Sequence, residues 1–70
     1  MPYYIVNKNI DDNGRHEVHQ DTCTRLPNKE NQLDIGYHSD CTEAIQYIQN
    51  QNPAHLFDGC WYCSPACNKG

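Results

Sequence analysis

The C-terminal part of the chain carries a closely spaced cysteine pair, Cys60 and Cys63, directly after Gly59. Two intervening residues allow a turn that directs both sulfurs toward one point. Such a C-x-x-C pair can bind a metal ion, carry out thiol–disulfide chemistry or be oxidised to a disulfide. Trp61 and Tyr62 lie between the cysteines, and we expect them to shield the site from water or to pack on an N-terminal hairpin. The choice between these chemistries depends on further ligands elsewhere in the chain.

A second pair of possible ligands, His19 and Cys23, has H-x3-C spacing earlier in the chain. Together with Cys60 and Cys63 it makes a set of one imidazole and three thiols, which is a common structural zinc set. The long segment between the two pairs is no obstacle, because the entropic cost of closing a loop rises slowly with its length. The sequence therefore predicts one Zn²⁺ ion bound by His19, Cys23, Cys60 and Cys63.

Other residues compete for roles in this site. Cys67 follows Cys63 at a spacing that could bring a third C-terminal sulfur to the metal, and His16 could replace His19. Alternatively, Cys67 could pair with Cys41, which would leave the four-residue set unchanged. Cys41 also fits the pattern of a small buried hydrophobic residue. The remaining histidines are expected to lie in solvent: His38 and His55.

Length and composition favour a small cross-linked domain. The chain has 70 residues, with five cysteines and four histidines as cross-linking groups. Chains of this size rarely gain more than about 3–5 kcal/mol from a hydrophobic core alone, so a metal, a disulfide or oligomerisation usually adds the rest. Because the number of cysteines is odd, disulfides cannot use them all. We expect one zinc-binding domain over residues 1–70, and a monomer.

The charge balance limits the possible partners. Nine acidic and five basic residues give a net charge of −4, and the basic residues are scattered singly. Nucleic-acid binding depends on clustered basic surface, so it is disfavoured here. No signal-peptide core follows Met1, and no apolar run reaches membrane-spanning length. We therefore expect a soluble cytoplasmic protein, in a reducing compartment where clustered cysteines more often bind metal than form disulfides.

The N-terminal half has the pattern of short β-strands. β-Branched and aromatic residues predict a first strand over residues 2–6. Turn-forming residues over 7–14 connect it to a second strand over residues 15–19, which makes a β-hairpin. After an irregular loop, alternating apolar residues predict a third strand over residues 32–37. Gly36 marks a weak point or a bulge in this strand.

The clearest element is an amphipathic helix. Asp40 can cap its N-terminus, with Glu43 three residues later as the capping-box partner. Four apolar residues with helical spacing form a stripe on one face of this helix: Cys41, Ala44, Ile45 and Ile48. Pro53 ends the helix at or before the residue that precedes it. A turn at Asp58 and Gly59 is then expected to position a C-terminal C-x-x-C knuckle, so the predicted fold class is α+β.

The order of these features resembles the Ada-like zinc modules, the family that includes the metal-binding domain of the Ada DNA-repair protein. The resemblance extends roughly from Val18 to Pro65. It implies a bound zinc ion and, in one form of that chemistry, a zinc-bound cysteine that accepts an alkyl group. The chain departs from the family pattern in its long hairpin, its acidic balance, Cys41 and Cys67. The matching residues are His19 and Cys23, Ser39 to Ala44, Gly59, Cys60, Cys63 and Pro65.

Three classes of function follow. The first is a structural zinc domain without enzymatic activity, whose surface binds a partner protein; in it Glu17 and Asp21 could orient the His19 ring. The second is a reactive zinc-thiolate, either an alkyl acceptor or a redox-responsive cysteine. The third is a disulfide-stabilised domain without metal. Thiol–disulfide catalysis by Cys60 ranks below these, because Pro65 leaves no room for the helix that activates such thiols.

Overall fold

Four strands and one helix make up the α+β fold in the computed structural model, which describes residues 1–69. The predicted fold class is confirmed, and both ends of the helix agree with the sequence signals. Two 3-10 turns lie outside these elements: Lys29–Asn31 precedes the third strand, and Pro65–Cys67 follows the last strand. The elements in chain order are β1 (Tyr3–Ile10), β2 (Arg15–Gln20), β3 (Gln32–Tyr37), α1 (Cys41–Gln51) and β4 (Leu56–Gly59).

The strands form one mixed sheet in the order β3-β1-β2-β4. Strand β1 runs antiparallel to both β2 and β3, which confirms the predicted hairpin and third strand. Strand β4 is parallel to β2, with Val18 opposite Gly59. Parallel strands end at the same edge of a sheet. The residues that follow β2 and those that follow β4 therefore lie close together.

The turn predicted at Asp58 and Gly59 is wrong, because both residues belong to β4. The Asp58 side chain is only 2% exposed. Its Oδ1 accepts hydrogen bonds from the backbone N–H groups of Gly59 and Lys69, at 2.9 and 2.8 Å. The guanidinium of Arg15 lies 3.6 Å from the other carboxylate oxygen. Residue types that usually form turns are therefore held in an extended strand by contacts with distant parts of the chain.

The helix begins as its capping residues predict. The Asp40 carboxylate accepts a hydrogen bond from the Glu43 N–H at 2.9 Å, and the Glu43 carboxylate accepts one from the Ser39 N–H at 2.6 Å. The helix ends at Gln51, and the N–H of Asn52 donates to the carbonyl of Ile48. These bonds satisfy backbone groups that a helix end leaves without partners.

One face of the sheet packs against α1 and forms the hydrophobic core. The predicted helical stripe is confirmed, since Cys41, Ala44 and Ile48 are buried and Ile45 packs at the edge. Apolar side chains at alternate strand positions reach the same side of the sheet. This arrangement anchors β2 and β4 next to each other. The strand residues of the core are Tyr4, Val6, Val18, Ile35 and Phe57.

Strand β3 forms one edge of the sheet and differs from its expected pattern. Ile35 is buried, whereas Leu33 and Tyr37 on the same predicted face are exposed. Gly36 has φ of +86° where the pairing with β1 shifts register, so the predicted bulge is confirmed. The expectation that His38 lies in solvent is wrong. Its ring is buried, and its Nε2–H donates to the Ile35 carbonyl at 2.8 Å, which satisfies the buried nitrogen.

Candidate metal centre

Four potential ligands meet at the edge of the sheet where β2 and β4 end. His19 lies in β2 and Cys23 in the turn that follows it, whereas Cys60 and Cys63 follow β4. The Cys60 N–H donates to the Val18 carbonyl at 3.0 Å, which continues the parallel pairing up to the site. The ligand atoms all lie within 4.8 Å of one another. The structure thus brings together the four residues that the two sequence motifs predict.

The spacing of these atoms suits a tetrahedral ion. The Sγ atoms of Cys23 and Cys60 are 3.8 Å apart, and Cys63 Sγ lies 3.9 Å from Nδ1 of His19. With Zn–S bonds of about 2.3 Å and a Zn–N bond of about 2.0–2.1 Å, tetrahedral geometry separates two sulfurs by about 3.8 Å and a sulfur from a nitrogen by about 3.6 Å. The group could therefore hold a metal ion with little movement of its side chains.

Backbone N–H groups point at two of the sulfurs. Gln20 N–H donates to Cys63 Sγ at 3.3 Å, and Arg25 N–H donates to Cys23 Sγ at 3.4 Å. Burial, together with the neighbouring Cys23 and Cys60 side chains, raises the pKa of the Cys63 thiol to about 12, although the hydrogen bond from the Gln20 N–H acts in the opposite direction. A thiolate in this place therefore requires a compensating positive charge, which a bound cation would provide.

His19 is oriented as a metal-binding histidine would be. Its ring is 1% exposed, and Nδ1 faces the sulfurs. Among the described residues its buried Nε2 has no hydrogen-bond partner, although Glu17 Oε1 lies 3.6 Å away. Burial lowers the pKa of His19, which favours the neutral imidazole that binds metals. Glu17, one of the two carboxylates predicted to orient this ring, therefore faces the nitrogen opposite the ligand nitrogen.

The turn that carries Cys60 and Cys63 packs closely on the residues around it. A Cβ atom on Gly59 would lie 2.6 Å from both the Cys67 Cβ and the Ser64 carbonyl oxygen. The Ser64 N–H donates to the Cys60 carbonyl at 2.8 Å, which closes the turn. Glycine is thus required at position 59 by close approach of another part of the chain.

A contact between exposed side chains connects the two halves of the site. The Arg25 guanidinium lies 4.0 Å from the centre of the Tyr62 ring, and its Nη2 donates to the Tyr62 hydroxyl at 2.9 Å. Trp61 and Tyr62 are 65% and 59% exposed, so neither side chain is buried against the hairpin, and the expectation that they shield the site from water stays a prediction. No sequence pattern pointed to Gln20 or Arg25, because their roles depend on contacts with a distant segment.

The two possible substitute ligands lie outside this group. Cys67 forms a disulfide with Cys41, with 6.3 Å between the Cα atoms. The Nδ1–H of His16 donates to the Asn7 carbonyl at 2.9 Å. The His16 ring also packs against Phe57, away from the sulfurs. Of the arrangements left open by the sequence, the structure shows the one in which Cys67 pairs with Cys41.

Comparisons with known protein families, curated proteins and solved structures find no match for this chain. Within residues 1–69, no helix has the length and apolar character needed to cross a membrane. What the fold and the site define is a small α+β domain with a histidine–cysteine group that could hold a metal ion. Its function must follow from the chemistry of that group.

Proposed function

We propose that this protein is a structural zinc domain in which His19, Cys23, Cys60 and Cys63 bind one Zn²⁺ ion. The observation that carries the proposal is the convergence of four ligand atoms from both ends of the chain to within 4.8 Å. One imidazole and three thiolates suit zinc better than the hard cations, which prefer oxygen ligands. Four protein ligands fill a tetrahedral shell and leave no position for water or substrate, so the proposed zinc ion has a structural role rather than a catalytic one.

The protein's own groups prepare this site for a cation. His19 presents an imidazole that burial keeps neutral, and Glu17 lies beside its other nitrogen. The N–H groups of Gln20 and Arg25 stabilise negative charge on two sulfurs. A bound zinc ion would supply a cross-link between the ends of β2 and β4. Because such a site does not exist in the unfolded chain, metal binding contributes directly to folding free energy.

A reactive zinc-thiolate is the second candidate, and the exposure of the sulfurs favours it. Cys60 is buried, whereas Cys23 and Cys63 are half-buried and therefore within reach of a small electrophile. The sequence resemblance to the Ada-like zinc modules points to the same chemistry; here the H-x3-C motif begins in β2 and ends in the turn after it, and the C-x-x-C motif follows β4. Against strong reactivity, each of these two sulfurs accepts a backbone N–H, which lowers the nucleophilicity of a thiolate.

The decisive experiment combines elemental analysis with Cys Cβ chemical shifts of the purified protein. We expect one zinc ion per chain, with zinc-thiolate shifts at Cys23, Cys60 and Cys63 and disulfide shifts at the other two cysteines. If the protein lacks metal and keeps its fold in strong chelator under reducing conditions, the zinc proposal fails. If it lacks metal and loses its fold only on reduction, the disulfide-stabilised alternative is supported.

A methylating agent separates the two zinc-dependent candidates. Zinc-loaded protein is treated and then analysed by mass spectrometry after digestion. A structural site predicts slow modification spread over its cysteines. Rapid, stoichiometric methylation of Cys23 or Cys63 alone would support the reactive thiolate instead.

A further inference from the structure

A second cross-link lies beside the candidate metal centre. The disulfide joins Cys41, the first residue of α1, to Cys67, the last residue of the 3-10 turn Pro65–Cys67. The segment that it closes contains both Cys60 and Cys63 but neither of the other two proposed ligands. The disulfide therefore restrains one half of the site, whereas the half on β2 is held by the sheet.

Close packing connects Cys67 to the residues that carry the ligands. The Cα of Gly59, directly before Cys60, approaches Cys67 so closely that a Cβ there would be 2.6 Å from Cys67 Cβ. The Cys67 N–H donates to the Ser64 carbonyl at 3.0 Å, and Ser64 directly follows Cys63. A movement of Cys67 would thus be transmitted to the backbone beside both C-terminal ligands.

The disulfide is accessible to a small thiol from one side. Cys67 is half-buried and lines an open cleft of about 320 Å³ between the helix and the C-terminal segment. The Thr42 hydroxyl on the wall of this cleft lies 3.6 Å from Cys67 Sγ. Cys41 is only 9% exposed and occupies the N-terminus of an eleven-residue helix, where the helix dipole stabilises a departing thiolate. Attack at Cys67 is therefore favoured over attack at Cys41.

We propose that the Cys41–Cys67 disulfide is a redox-controlled lock that slows zinc exchange at the neighbouring site. This inference rests on the proposed zinc-binding function. Opening the lock requires two low-molecular-weight thiols, each reacting as its thiolate after loss of a proton. The first attacks Cys67 Sγ, the S–S bond breaks and its electron pair leaves on Cys41, which takes up a proton. The second thiolate attacks the sulfur that the first thiol contributed to the mixed disulfide. Cys67 leaves as a thiolate and takes up a proton, and the two small thiols end as one disulfide.

The two states differ in how firmly the C-terminal ligands are held. With the disulfide closed, Cys60 and Cys63 lie on a segment fixed to both β4 and α1. With the disulfide open, the covalent link to α1 is lost, and the segment is held by β4, by the hydrogen bonds from Gln20 to Cys63 and by the contact between Arg25 and Tyr62. Cys63 can then leave the metal more often. A reducing compartment would keep the lock open, and exchange with a low-molecular-weight disulfide, which is itself reduced to two thiols, would close it.

The test measures the rate of zinc transfer from the full chain to a chromogenic chelator. Zinc-loaded wild-type protein is compared in its disulfide form and after reduction with a phosphine, which is then removed anaerobically. We expect transfer to be about tenfold faster after reduction, because loss of a cross-link of this loop size relaxes the segment. The double variant Cys41→Ser/Cys67→Ser should release zinc at the fast rate, and the phosphine treatment should not change that rate.

Each outcome bears on a defined claim. Equal rates for the oxidised and reduced wild type, with one zinc bound in both, would overturn the lock and leave the zinc site intact. Absence of zinc from the oxidised protein would overturn the zinc site and the lock together. If the double variant does not fold, the reduced wild type decides the matter, with its circular dichroism spectrum recorded before the assay. A fast rate accompanied by global unfolding would also contradict the lock, which predicts a local effect.

Discussion

The two ends of the β1–β2 hairpin are stabilised in different ways. At the turn, the Asp11 carboxylate accepts hydrogen bonds from the N–H groups of Asn13 and Arg15, at 2.8 and 2.9 Å, so the contacts are local in sequence. At the opposite end, Gln20 contacts Cys63 and so joins segments far apart in the chain. The turn needs contacts only among neighbouring residues, whereas the site needs contacts between segments far apart in the chain. The site end should therefore respond more strongly to substitution.

The largest effect is expected from Cys60→Ser. Structural zinc sites contribute about 10–16 kcal/mol of apparent binding free energy in small zinc-finger peptides, so loss of one buried thiolate should lower the stability of the zinc-loaded protein by several kcal/mol. Thermal unfolding followed by circular dichroism measures this change. Thr22→Ser, an exposed position between His19 and Cys23, is the matched control and should unfold like wild type. Equal melting temperatures for both variants would show that the site does not support the fold.

Gly59→Ala should have the next largest effect. The added methyl group would lie 2.6 Å from the Cys67 Cβ and the Ser64 carbonyl oxygen, and neither belongs to a flexible side-chain end. Forced overpacking of this kind costs about 1–3 kcal/mol. Chemical denaturation should show the loss of stability, and zinc transfer to a chelator should also become faster. An unchanged denaturation midpoint would mean that the C-terminal turn can move away without cost.

The comparison also shows what the sequence could predict. The hairpin, the cap at Asp40 and the helical stripe depend on residues a few positions apart, and all were predicted. The ligand set follows from two short motifs whose members are chemically distinctive. Strand β4 was missed because Asp58 is a typical turn residue, and its extended position depends on distant groups: the Lys69 N–H, the Arg15 side chain and the pairing with β2. The burial of His38 was missed for a similar reason. Its ring donates to the carbonyl of Ile35, which lies at the bulge in β3.

Glu17→Gln tests how the site orients its histidine. The Glu17 carboxylate lies 3.6 Å from Nε2 of His19, just beyond hydrogen-bond distance. We expect it to orient the ring once zinc is bound, and loss of a carboxylate with that role usually lowers metal affinity by about 10–100-fold. We expect about a tenfold weaker zinc affinity in chelator competition, with an unchanged circular dichroism spectrum. Asp21→Asn removes the other carboxylate near this motif, on an exposed residue, and should leave the affinity as it is. Equal losses in the two variants would point to net charge rather than to orientation of the ring.

Gly14→Ala should have the smallest effect on the site, because its cost is confined to the hairpin turn. Gly14 has φ of +76°, which L-residues rarely adopt, but an added Cβ would meet no atom within 4 Å. The cost is therefore backbone strain alone, about 1–2 kcal/mol, and it falls at the end of the hairpin remote from the ligands. Denaturation should show this modest loss, whereas the rate of zinc transfer should match that of wild type. A faster zinc transfer in Gly14→Ala would mean that the hairpin turn and the site are coupled, which the local hydrogen bonds of the turn do not predict.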